Sequence, residues 1–197
     1  VPTQGCFPLS STLDSIGPLA PSIACCALLD SILAGEEPAP LPERPVAGLR
    51  FAVPQRYVLD GLDGTVAAAF RRALSALSAA GARIGEISLA ELEEIPRIMQ
   101  KGAVVTVEAF AVHRDLLAAK ERDYDPRVAG RIKLGGTVTA ADYYDMLRRR
   151  ADLIARVSRT SADYDALLCP TVPIVAPAIA PLERDDDLYV KTNLAVL

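Results

Sequence analysis

The stretch Leu49-Arg50-Phe51-Ala52-Val53-Pro54 decides the fold class. A short apolar run that ends at a proline suits a buried strand. Beyond it, Asp63 stands where it caps a helix with an apolar face of Val66, Phe70, Leu74 and Leu77, and Gly81 ends that helix. Ile84, Ile87 and Leu89 alternate loosely and suit a second strand. Strand, helix, strand in this order predicts a βαβ unit over 46–90, with a parallel pair and a right-handed crossover. The expected class is α/β, a mixed sheet flanked by helices and incomplete at both ends.

On the N-terminal side, residues 22–34 read as a helix. Ser22 is its N-cap, Ile23, Ala27, Leu28, Ile32 and Leu33 follow a helical period, and Gly35 closes it. Glu36 to Pro45 holds four prolines and predicts an extended surface connection. On the C-terminal side, residues 91–162 read as mostly helical. Gly135-Gly136 marks a turn, and Thr139 with Asp142 has capping-box spacing. Behind them Tyr143, Leu147, Ala151, Ile154 and Val157 are expected on one face. Residues 163–197 then give a strand, Ala166-Leu167-Leu168-Cys169, broken by Pro170-Thr171-Val172-Pro173. Pro177 and Pro181 are expected to keep the C-terminal segment irregular.

The chain has 197 residues, 51% of them hydrophobic and 23% charged, enough to bury a sizeable core. The net charge is −4. Such a balance gives no electrostatic footprint for nucleic acid or an anionic membrane. The run Arg148-Arg149-Arg150 reads as a solvated helix face with Asp145 and Asp152 beside it. No window approaches the roughly 18–20 apolar residues of a membrane span. Val1 reads like a strand or loop already under way, and Asn193 to Leu197 carries no cap. The expectation is a single incomplete domain, 1–197. Four cysteines without framework or CxxC spacing fit a reducing, cytoplasmic setting.

Chemistry is sparse. With one histidine in the chain, a Ser–His–Asp arrangement could use only His113, which sits in a helical stretch and reads as a part-buried residue satisfied by a neighbour. There is no G-x-S-x-G elbow. Glu91, Glu93 and Glu94 stand at a helix start, where acids favour the dipole. Asp185-Asp186-Asp187 lacks the glycine and spacing of a calcium loop and reads as a solvated loop. Cysteine spacing does not suit a metal, and no Gly-rich nucleotide loop is present. No cofactor and no metal are expected, and no catalytic residue is assigned within these residues.

Thr3-Gln4-Gly5-Cys6-Phe7-Pro8-Leu9-Ser10-Ser11-Thr12-Leu13-Asp14-Ser15-Ile16-Gly17-Pro18-Leu19-Ala20 resembles the segment that follows the nucleophile region in amidase signature enzymes. That family often reads G-x-x-P-x-S-x-S/T-L-D-x-x-G-P there, so Gly5, Pro8, Asp14 and Gly17 carry the structural motif. The helix of 22–35, the βαβ unit and Asp165-Ala166-Leu167-Leu168-Cys169-Pro170-Thr171-Val172-Pro173 are similar to the family's succeeding elements, in order. Two departures show: Pro21 stands where many relatives carry Arg, and Cys25 where many carry Asp. Without the acid, the capping box at Ser22 is incomplete, at a cost of several tenths of a kcal/mol to about 1.

The resemblance implies hydrolysis of a small-molecule amide by a Ser–cis-Ser–Lys triad placed upstream of these residues, so that 1–197 alone is inactive. It implies an amidase, or alternatively an amidotransferase A-type subunit that passes ammonia to a partner. A homodimer is also compatible with the family. A non-catalytic scaffold that keeps the fold is the reading from another class. Arg131 could meet a substrate carboxylate, or be a surface arginine on a short helix. Cys169 and Thr171 stand at a strand end, where open α/β sheets place ligands. Asp14 is expected to hold its own turn.

Overall fold

The structure is a computed structural model that describes residues 1–42, 44–99 and 103–194. It divides into two compact units, 1–44 with 96–151 and 45–95 with 152–197.

The second unit carries the sheet. Arg50–Pro54 forms β1, Gly64–Ala79 forms α2 and Arg83–Ile87 forms β2. The helix that precedes them in the chain, Ile23–Ala34 or α1, belongs to the other unit. Asp63 caps α2 through an N–H···O bond from Thr65 at 2.7 Å. That bond holds the Asp63 carboxyl below its usual pKa. Gly81 follows the helix at φ +92°, and a Cβ there would stand 3.0 Å from the Ala47 Cβ, so glycine is needed on both counts. β1 and β2 pair in parallel, Phe51 opposite Ile84 and Ala52 opposite Gly85. Ala166–Leu167 is β3, parallel to β1 on its other side, giving the order β2-β1-β3. All pairs among the described strands are parallel, and the expected α/β class holds. Asp165 explains the start of the C-terminal motif: its Oδ2 accepts the Arg50 N–H at 2.6 Å, and its own N–H donates to Arg50 O at 2.7 Å. The core here is Ala52, Ile87 and Leu89, with Leu92, Val157 and Tyr164 against it.

Residues 179–194 are not irregular. Ile179–Arg184 and Asp186–Leu194 are two short helices, α7 and α8. Pro181 lies in the first turn of α7, where a missing N–H costs nothing. Asp185 accepts the Leu188 N–H at 2.9 Å, so the acidic run is a helix start rather than a solvated loop.

The first unit is helical. Ile23–Ala34 is α1, capped by Ser22, whose Oγ accepts the Cys25 N–H at 3.1 Å, and closed by Gly35 at φ +76°. Ile95–Ile98 is a single turn, α3, that reaches the unit boundary. Ala103–Lys120 is α4 and Pro126–Gly135 is α5. Ala109, Leu117, Ala129 and Ile132 form the α4–α5 core. The two glycines at the end of α5 permit close approach: a Cβ on Gly135 would collide with the Thr106 carbonyl, and one on Gly136 would lie 2.6 Å from the Phe110 ring.

Ala140–Thr160 is α6. Of the expected row, Tyr143, Leu147 and Val157 are half-buried. Met146 and Leu153 are buried, whereas Ala151 and Ile154 are exposed. At about 100° per residue, two steps of four carry Ala151 about 80° to one side of Tyr143, whereas Met146 and Leu153 lie about 60° and 80° to the other.

Candidate functional site

The opening segment is held to α4 by one buried carboxylate. Glu108 is only 5% exposed. Its Oε2 accepts from Ser10 Oγ at 2.6 Å and from the Thr12 N–H at 2.9 Å. Its Oε1 accepts from Thr12 Oγ1 at 2.6 Å and from Tyr143 OH at 2.7 Å. Burial pushes this carboxyl up, but the bonds from Ser10, Thr12 and Tyr143 outweigh it and hold it at about 2. The same bond pushes Tyr143 up to about 12.

His113 makes a second tie. Its Nε2 lies 2.9 Å from Pro8 O and its Nδ1 2.8 Å from Tyr124 OH. A carbonyl only accepts, so Nε2 carries the proton, and in the neutral ring Nδ1 accepts from the tyrosine. Phe7 meets the imidazole edge-on at a centroid distance of 5.2 Å. The histidine is thus part of the packing, satisfied on both nitrogens.

Asp14 holds its own turn. Its two oxygens accept the N–H groups of Leu9 at 2.8 Å and Ser10 at 3.0 Å. Gly5 sits at φ +88° inside the turn closed by Cys6 N–H to Thr3 O at 3.1 Å. Pro8 offers its carbonyl to His113. Gly17 has no left-handed φ and no neighbour within 4 Å, and nothing in the structure explains it. Around this segment lies a cleft of about 360 Å³ lined by Thr3, Cys6, Phe7, Ser11, Asp14 and Ile16 among others.

The expected pocket residues fall in different units. Arg131 is on the exposed side of α5 in the first. Cys169 and Thr171 are exposed just beyond β3, at the carboxyl end of the sheet, in the second. Their loop is tied down where the Asp63 N–H reaches Pro173 O at 2.8 Å. A further cavity of about 330 Å³ opens along β1 and β2 between Val53, Gln55, Phe70, Arg71, Leu74 and Glu86, among others. It was not foreseen.

The glutamates at 91–94 do more than favour a helix dipole. Glu94 receives Arg156 Nη1 and Nη2 at 2.8 Å each, Glu93 receives Arg56 at 3.0 Å, and Glu91 receives Thr160 Oγ1 at 3.1 Å. Among the described residues, no three His, Cys, Asp or Glu side chains converge as a metal site requires. The described residues hold no helix long and apolar enough to cross a membrane.

A nucleophile needs a base and oxyanion donors within reach. Ser10, the buried serine, donates to a carboxylate held at low pKa, and its geometry is that of a strut. Helices packed on the opening segment in one unit and a parallel sheet in the other define an α/β protein. The Amidase family model matches residues 1–197, and the chain belongs to that family, the amidase signature family.

The chain is 35% identical over 185 residues to the 2-amino-5-chloromuconic acid deaminase of Comamonas testosteroni, covering 91% of this chain and 39% of that protein. It is 29% identical over 210 residues to the A-type subunit of the glutamyl-tRNA(Gln) amidotransferase of Chloroflexus aggregans, covering 89% and 43%. A crystal structure of an amidase superposes with a TM-score of 0.76 at 31% identity, covering 88% of this chain and 38% of that one. The chain therefore spans about two-fifths of the length of the relatives it matches.

Proposed function

We propose that the full-length protein is an amidase that cleaves the C–N bond of a small carboxamide. The family match over residues 1–197 carries this reading. The reacting triad, Ser–cis-Ser–Lys, lies outside these residues. The serine Oγ bonds to the carbonyl carbon, the C–N bond breaks, and the nitrogen leaves with a proton as ammonia or an amine. Water then cleaves the acyl ester and releases the acid. Residues 1–197 supply support and pocket wall, with Arg131, Cys169 and Thr171 as the candidates for substrate contact. A cytoplasmic location fits four free thiols.

The test is ammonia or amine release from carboxamides by the full-length protein, and by a variant in which the upstream serine is alanine. Activity retained in that variant would sink the reading. Turnover by the isolated 1–197 chain would overturn the assignment of the triad to other residues.

A second reading is an amidotransferase A-type subunit that passes ammonia to a partner, favoured by the similarity to the Chloroflexus protein. A partner protein that co-purifies and receives the ammonia distinguishes it from a free-standing amidase, whether monomer or homodimer. The non-catalytic scaffold becomes the better reading if the full-length sequence lacks the triad serines and lysine.

A further inference from the structure

Glu108 has no part in the chemistry proposed above, yet among the described residues its carboxylate accepts four hydrogen bonds. Among the described residues no lysine or arginine pairs with it; its charge is met by neutral donors alone. Apolar packing could fix a loop to a helix at lower desolvation cost. A carboxylate fork does something packing cannot: with each oxygen taking two donors, it dictates where the donors stand relative to α4.

Three of the four donor groups belong to Ser10 and Thr12. The residue between them points the other way: Ser10 is buried, while Ser11 is exposed and lines the cleft with Thr3, Cys6 and Phe7. The inner side of one short segment is thus pinned to Glu108 while its outer side forms a cleft wall. Pro8, at the head of the segment, is pinned to the same helix by His113. Asp14 closes its far end on Leu9 and Ser10. The segment has little freedom to move except by breaking the fork.

We propose that Glu108 is a positioning residue for amide hydrolysis, acting through Ser10 and Thr12 to hold the cleft wall around Ser11 in place. This rests on the amidase reading above. A positioned wall affects rate as well as stability, because an error of about 1 Å in a reacting geometry can cost on the order of 100-fold.

The test uses the full-length protein and primary carboxamides such as propionamide and benzamide. Rates are expressed per folded molecule, counted by near-UV circular dichroism. Glu108→Gln keeps the length but replaces acceptor lone pairs by donors, and should lower kcat/KM at least tenfold. Thr12→Val should lower it severalfold. The double variant should be no worse than Glu108→Gln alone, because both act through one contact. Leu117→Ala, in the α4–α5 core and with no hydrogen bond to the segment, should lower the melting temperature and leave kcat/KM per folded molecule near the parental value. If Glu108→Gln does not fold, Thr12→Val and Tyr143→Phe carry the same comparison. An active parent whose Glu108 and Thr12 variants keep parental kcat/KM overturns the inference alone, as does a Leu117→Ala loss of equal size. A parent inactive on every carboxamide overturns the amidase reading and this inference with it.

Discussion

Glu108 also contributes to the response to pH. Its carboxyl sits at about 2 when folded against a usual 4.5. A folded value below the unfolded one stabilises the protein above pH 4.5, and the benefit disappears as pH falls from there towards 2. The difference is worth on the order of 3 kcal/mol. Tyr143 works at the other end. Raised from 10.0 to about 12, it keeps its proton in the folded state after the unfolded chain has lost it, so stability drops as pH rises through that interval. Melting temperatures taken from pH 2.5 to 11.5 should show both slopes. Glu108→Gln should flatten the acid slope, and Tyr143→Phe the alkaline one. An unchanged acid slope in Glu108→Gln would mean that other carboxylates dominate acid unfolding. None of this was legible in the sequence. Glu108 stood in a stretch read correctly as a helix, but its donors lie 96 and 98 residues before it and 35 after it. No local pattern links such positions.

At the level of elements, α5 offers a controlled comparison between two glycines of one helix. Gly130 has open space where a Cβ would go, whereas Gly135 has the Thr106 carbonyl in that place. Gly130→Ala should stabilise by up to about 1 kcal/mol, since alanine is the better helix former. Gly135→Ala should destabilise by about 3 kcal/mol or more, because main chain rather than a flexible side chain must yield. Urea denaturation of the two variants reads both signs, and a stable Gly135→Ala would mean that α5 is free to slide on α4. The sequence marked Gly135-Gly136 as a turn but could not show the close approach, which exists only once α4 lies against α5. Signals that act within an element were readable: Ser22 and Gly35 around α1 and Asp63 before α2 follow from residues a few positions apart, and the parallel β1–β2 pair follows from the order strand, helix, strand. The inward face of α6 was read only in part, because two steps of four from Tyr143 place Ala151 on the side away from Met146 and Leu153. The two C-terminal helices were missed because prolines were read as breakers without regard to their place in the turn.

For the molecule as a whole, the telling feature is α1. Its twelve residues contain one charge, Asp30, and none of them is buried. Ile23 is 76% exposed and Ile32 54%, with Leu28, Leu29 and Leu33 also exposed. A helix that is apolar nearly all round belongs in an interior. The chain spans about two-fifths of its relatives' length, so the amidase reading predicts that the remainder of the domain covers α1. That gives one substitution two outcomes of different size. In the isolated 1–197 chain, Ile32→Glu changes an exposed side chain; its stability cost should be within about 0.5 kcal/mol, and self-association in sedimentation velocity should decrease. In the full-length protein the same glutamate would be enclosed without a partner, and denaturation should show a loss of roughly 2 kcal/mol or more. Equal, small effects in both proteins would mean that α1 stays uncovered in the full-length molecule, and its apolar surface would then have to serve a different contact.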